Sequence, residues 1–157
     1  AGLYGMAGPI LEMADGIDVE IVPGVSSVFA AAAEMGSPLM HDFCTISLSD
    51  LLTPWSVIEK RLIHAARGDF VISLYNPKSK GRKEHIKRAL AILAQEIDSR
   101  RPVALVKNAG REGNARKLQT LNTIDLEFID MKTVVIIGNS QTYVKDGWMI
   151  TPRGYKL

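Results

Sequence analysis

The heptapeptide DFVISLY at 69–75 leaves the chain the least choice of fold. It is apolar almost without interruption, and such a run reads as a strand covered on both faces of a sheet. PVALVKN at 102–108 and TVVIIGN at 133–139 have the same character, and FCTISLS at 43–49 reads as a further strand. Between them lie stretches of helical period. TPWSVIEKRLIHAARG at 53–68 places Trp55, Ile58, Leu62 and Ala65 on one face, with Thr53 as cap, Pro54 at the first helical position and Gly68 as the stop. KEHIKRALAILAQEI at 83–97 aligns Ile86, Leu90, Leu93 and Ile97 in one stripe. Strands buried on both faces need helices to cover them. The alternation therefore predicts an α/β fold: a mixed, largely parallel sheet with helices on its faces.

The rest of the chain is read around that frame. VEIV at 19–22 is expected to be a short strand, PGVSS a turn, and VFAAAAEMG at 28–36 a helix closed by Gly36. RKLQTLNTIDLE at 116–127 reads as strand plus turn, and GWMITPRGYKL at 147–157 as a short edge strand and a tail. Four loops after strands carry small, polar or glycine residues: PGVSS, YNPKSKGR, NAGREG and GNSQT. In open α/β sheets ligands sit beyond the carboxyl ends of strands, so these loops outline one edge of a crevice. The same residue types also make ordinary turns.

Several chemistries lack their residues. No G-x-x-x-x-G-K-[ST] spacing occurs, and Ser26 and Ser27 are not framed as a nucleophile elbow. His41, His64 and His85 lie about twenty residues apart in different elements, which reads as surface or helix-face histidines and no metal site. Cys44, the single cysteine, is expected to be a buried thiol in an apolar strand. No catalytic nucleophile or general base is assigned. No apolar run reaches the length of about 18 residues that a membrane span needs, so no membrane role is expected and the cytoplasm is the default compartment. The formal charge of +2 is small, yet 78–88 holds six Lys or Arg against one Glu. Nucleic acid is disfavoured as a partner because that patch lacks interleaved aromatics for stacking bases. A crevice of this kind suits a reaction in which the reactants bring their own reactivity and the protein supplies alignment, of which methyl transfer from a sulfonium is one.

AGLYGMAG, VEIVPGVSS, HDFCTISLSDLLTPW, SLYNPKSKGR, LVKNAGREG and VIIGNS, in this order, resemble the precorrin-3B C(17)-methyltransferases of the tetrapyrrole methyltransferase family. The similarity covers essentially all 157 residues. VPGVSS and the glycine loop are shared across the wider family, whereas ISLSDLLTPW and LYNPKSKGR look particular to the carbon-17 enzymes. The resemblance implies two α/β domains with S-adenosyl-L-methionine and a tetrapyrrole in the cleft between them, and usually a homodimer. It implies that residues 1–18 are the remnant of an interdomain cofactor loop and its helix. Residues 19–157 would be the carboxyl-terminal domain, and the chain an inactive or weakly active fragment. The reaction implied is methylation of carbon 17 of precorrin-3B, or its cobalt form, with ring contraction. Another methyltransferase of the fold, acting on a different tetrapyrrole, a protein or RNA, stays open, as does a non-catalytic binding or dimerisation domain.

Carried over position by position, the resemblance assigns Leu3, Ser26, Ser27, Tyr75, Asn76, Asn108, Ala109 and Gly138 to the cofactor. Lys78, Lys80, Arg82 and Arg111 are assigned to the carboxylates of the substrate.

Overall fold

A computed structural model describes residues 2–155 and shows a five-stranded sheet with helices on both faces, joined by a small three-stranded sheet. In chain order the elements are α1 (Ala7–Met13), α2 (Ser27–Met35), β1 (Gly36–Ser37), β2 (Phe43–Ser47), α3 (Trp55–Arg67), β3 (Val71–Tyr75) and α4 (His85–Glu96). They continue with β4 (Pro102–Lys107), β5 (Ala115–Thr120), a 3₁₀ turn (Leu121–Thr123), β6 (Thr133–Ile137), β7 (Tyr143–Lys145) and β8 (Trp148–Ile150). Residue 1 of the expected segment 1–18, and residues 156–157 of the expected 19–157 and of the tail, lie outside the described residues.

The main sheet has the order β2-β3-β6-β4-β5. Every residue of β6 is buried, and so are Val71–Leu74 of β3 and Val103–Val106 of β4, as expected of strands covered on both sides. One face of the sheet receives α3 and α4. Ile58, Leu62, Ile86 and Leu93 meet Ile72, Leu74, Val103, Leu105, Val135 and Ile137 there. Alternate residues of the same strands, Ala104, Val106, Val134 and Ile136, turn to the other face and meet Ala31, Ala32 and Met35 of α2 with Met149 of β8. The alanines of α2 let that helix lie close to the sheet.

The sheet is mixed, but antiparallel pairing predominates where parallel pairing was expected. Only β2 and β3 pair in parallel; β3 with β6, β6 with β4, and β4 with β5 are antiparallel. A buried apolar run signals cover on both faces and carries no information on direction. VEIV at 19–22 forms no strand, because among the described residues it has no partner and no residue from 2 to 26 is buried. GWMI supplies β8, which lies between β1 and β7 and so is not an edge strand. α3 begins at Trp55, with Pro54 as its N-cap and no side-chain cap bond, so Thr53 does not cap it. Gly68 ends that helix and Gly36, at φ 115°, ends α2.

At the amino ends of β3 and β4 a polar cluster closes the fold. The Asp69 carboxylate accepts the Ser140 amide at 2.9 Å, the Ser140 hydroxyl at 2.5 Å and the Arg101 guanidinium at 2.9 Å. Burial by itself would raise this carboxyl, but the bonds from Ser140 and Arg101 outweigh it and hold the group below the usual carboxylate range. Stability from the cluster is therefore complete above the ordinary carboxylate pKa and lost as pH falls through the lowered one. Urea titrations should show Asp69→Asn destabilised at neutral pH, with the gap to wild type closing in acid.

Gly138 sits at the same edge, its amide donating to the Pro102 carbonyl at 2.9 Å. A Cβ there would lie 2.5 Å from Thr142 Cβ, a stiff β-branched neighbour. Gly138→Ala should cost about 1–3 kcal/mol of stability, measured by chemical denaturation.

Candidate functional site

Because β6 runs against both β3 and β4, those two strands point the same way although they are not adjacent. The carboxyl ends of β2, β3 and β4 (Ser47, Tyr75, Lys107) and the amino end of β6 (Thr133) share one edge. A cavity of about 710 Å³ opens there. Its wall comes from the start of α2 (Val25, Ser27, Ala30), the end of β3 (Tyr75, Asn76), the loop after β4 (Asn108–Glu112) and the turn into β6 (Met131–Val134). That size lies within the range of sites for small organic ligands.

Each wall is fixed by a local device. Tyr75 joins β3 to α2: its Oη accepts the Val28 amide at 2.9 Å and the Ser27 hydroxyl at 3.0 Å. Asn76 and Asn108 follow their strands at φ 52°, the left-handed region that asparagine tolerates, so each chain turns sharply at the strand end. The side chain of Asn76 donates to Ser47 Oγ at 2.8 Å and that of Asn108 to the Gly113 carbonyl at 3.0 Å. Glu34 of α2 secures the loop after β4 by accepting the Gly110 amide at 2.7 Å and the Asn114 side chain at 2.5 Å. Arg116 also donates to the Glu34 carbonyl. The last wall is shaped by Asp130, whose carboxylate accepts the Lys132 amide at 2.8 Å and the Thr133 hydroxyl at 3.1 Å and pairs with Lys107 at 3.1 Å. Burial opposes ionisation of Asp130, and those partners outweigh it, holding the carboxyl low.

The structure brings together Ser27, Tyr75, Asn76, Asn108, Ala109 and Arg111 of the residues singled out from the sequence. Ser26, the N-cap of α2, lies between Val25 and Ser27 of the wall without lining the cavity itself. Leu3 is not part of it either; its neighbour Tyr4 reaches this edge, donating to the Thr45 carbonyl at 3.0 Å with its ring 5.2 Å from that of Tyr75. Gly138 is a correction. It ends β6, whose direction opposes β3 and β4, so the GNSQT loop lies at the other edge of the sheet. Of the cations, Lys78 turns aside and donates to the Leu126 carbonyl at 3.2 Å. Lys80 is exposed on its loop, and Arg82 is partly buried at the end of it.

Glu34, Asp130 and the Met131–Val134 wall gave no signal in the sequence, because a carboxylate on an alanine-rich helix or in a polar turn is indistinguishable from a solvated one. His85 is a second correction. Instead of a plain helix-face residue it is largely buried, with Nε2 2.9 Å from Asp50 Oδ2. Cys44 is half-buried, and burial pushes its thiol up to about 11, which keeps it protonated and unreactive. No helix among the described residues is long and apolar enough to cross a membrane.

Residues 1–125 match the tetrapyrrole (corrin/porphyrin) methylases. A Salmonella typhimurium protein named probable cobalt-factor III C(17)-methyltransferase is 53% identical over the whole of this chain, which spans 67% of that relative. A Sinorhizobium protein named precorrin-3B C(17)-methyltransferase is 40% identical over 98% of this chain, which spans 65% of it. The crystal structure of the methyltransferase CobJ superposes with a TM-score of 0.91 at 39% identity, covering 96% of this chain and 66% of that one.

The role given to Glu34 has a direct consequence. Glu34→Ala leaves the Gly110 amide and the Asn114 side chain without their acceptor and should cost about 1–3 kcal/mol of stability. Amide exchange at residues 109–114 should accelerate more than exchange in β3 or β6.

Proposed function

Because this chain belongs to the tetrapyrrole (corrin/porphyrin) methylase family, we propose that it forms one wall of the site of an S-adenosylmethionine-dependent methyltransferase. The reaction is methylation of carbon 17 of a precorrin-3B-type tetrapyrrole, with or without cobalt, and contraction of its ring during cobalamin biosynthesis. One observation carries the reading: three of the loops whose sequences resemble the family's cofactor loops, PGVSS, YNPKSKGR and NAGREG, line a single cavity at the carboxyl edge of the sheet.

The residues present suit the cofactor. Ala30 and Ala109 leave room for a flat heterocycle, and the left-handed Asn76 and Asn108 turn backbone groups toward the cavity edge. Ser27 and Asn108 add polar side chains beside them. When bound, the sulfonium supplies an electrophilic methyl group, so the protein's task is alignment and exclusion of water. Tyr75 and Asn76 stiffen the end of β3, Glu34 stiffens the loop after β4, and Met131 and Val134 keep part of the wall apolar. Arg111 on the rim, with Lys80 and Arg82 on the loop after β3, is suited to hold substrate carboxylates. In this reading the protein is a cytoplasmic homodimer. Exposed apolar side chains between residues 2 and 25, such as Leu11, Met13, Ile21 and Val22, supply surface for a second copy or another chain to cover.

Ala30 offers the cleanest test, since it lines the cavity and its Cβ lies 3.9 Å from the position a Cβ on Gly110 would occupy, so the two small residues adjoin on one stretch of wall. Ala30→Leu suits a helix and should fill the space the ligand needs. Calorimetric titration of the intact protein should show S-adenosylmethionine affinity reduced by about tenfold or more, with the melting temperature little changed. Unchanged affinity would place the cofactor elsewhere.

A further inference from the structure

The two loops whose sequences resemble those of the carbon-17 enzymes are tied to each other. Residues 48–54 leave β2 and residues 76–84 leave β3, at the same edge of the sheet as the cavity. His85 Nε2 stands 2.9 Å from Asp50 Oδ2, and the side chain of His85 is only 13% exposed. The His85 ring meets Trp55 edge-on, with centroids 5.1 Å apart at 89°. Arg88 lies 4.1 Å above the Trp55 ring. The His85 imidazole beside it, helped by the charge of Arg82, holds the Asp50 carboxyl below its usual range. Arg82 itself has a buried Nε with no protein partner.

Between Asp50 and Trp55, at the tip of the first loop, Leu51 is 76% exposed and Leu52 98% exposed. Ordering a loop so that two adjacent leucines stay in water gains nothing for the fold. Asp50, next to Leu51, lies within reach of the Arg82 charge on the second loop, which also carries Lys80, so an apolar tip and a cation neighbour each other at the sheet edge that carries the cavity. A tetrapyrrole of this class has matching chemistry, a broad apolar macrocycle edged by carboxylates.

We propose that the Asp50–His85 pair, braced by Trp55, is a positioning latch for the tetrapyrrole, holding Leu51 and Leu52 against its macrocycle while Arg82 meets one of its carboxylates. This rests on the function proposed above. Asp50, His85 and Trp55 act through the loops they join, and Leu51, Leu52 and Arg82 are the contacts.

The test uses the intact protein with S-adenosylmethionine and the precorrin-3B-type substrate. The Leu51→Ser, Leu52→Ser double variant changes only exposed side chains. It should raise KM for the tetrapyrrole about tenfold, with the dissociation constant of S-adenosylmethionine and the melting temperature unchanged. Asp50→Ala should raise the same KM at nearly constant cofactor affinity. Asp50→Asn, which keeps an acceptor for the imidazole N–H, should recover part of the loss. An unchanged KM in the leucine variant overturns the proposal, as does a loss of oligomeric mass in place of substrate affinity, which would make the leucines a protein contact. If the wild-type protein binds neither S-adenosylmethionine nor the tetrapyrrole, the functional reading itself fails; if it turns over and the variants match it, only the latch fails.

Discussion

The site depends on the insertion of β6 between β3 and β4. All five residues of this strand are buried, so it is the apolar spine on which both helical layers converge. Its direction matters as much as its burial. Running against both neighbours, it keeps β3 and β4 parallel to each other across a strand's width and leaves a gap between their ends, roughly twice the usual interstrand spacing. The cavity lies over that gap, floored by Thr133 and Val134 where β6 begins. Had β4 paired with β3 directly, the loops bearing Asn76 and Asn108 would stand side by side with no floor between them.

The walls over this gap are made rigid by bonds that run between elements. Tyr75 fastens the end of β3 to the first turn of α2, and Glu34 fastens the last turn of α2 to the loop after β4. One short helix thus ties two loops that the sheet holds apart. Such a wall is arranged before any ligand arrives, which lowers the ordering cost of binding. The latch between Asp50 and His85 repeats the device one strand further out, joining the loops after β2 and β3. The opposite edge is closed by Asp69, Arg101 and Ser140, a cluster whose partners satisfy one another and leave Gly138 shut beneath Thr142.

Much of the frame was legible in advance. DFVISLY, PVALVKN and TVVIIGN become β3, β4 and β6 because an apolar run of that length buries both faces, and the stripes in 53–68 and 83–97 become α3 and α4 because one face of each is apolar. Tyr75, Asn76, Asn108, Ala109 and Arg111 share a cavity because loops after parallel strands emerge together, and Ser27 joins them because the start of α2 is bonded to Tyr75. Glu34, Asp130 and the pairing of His85 with Asp50 were not legible. Each is a charged or polar residue whose partner lies far along the chain, and nothing local marks it as engaged.

The sequence by itself determined the central strands and the two helices over them, the core-facing positions of those elements and which loops carry the family's motifs, since these follow from period, apolar content and short-range turn chemistry. Only the tertiary structure decided which way β6 runs, and with it that GNSQT and Gly138 belong to the far edge. It alone showed that VEIV has no strand to pair with among the described residues, and that Lys78 faces the Leu126 carbonyl while Arg82 approaches Asp50. Strand direction and ion pairing are set by contacts between residues distant in sequence, and local pattern carries no record of them.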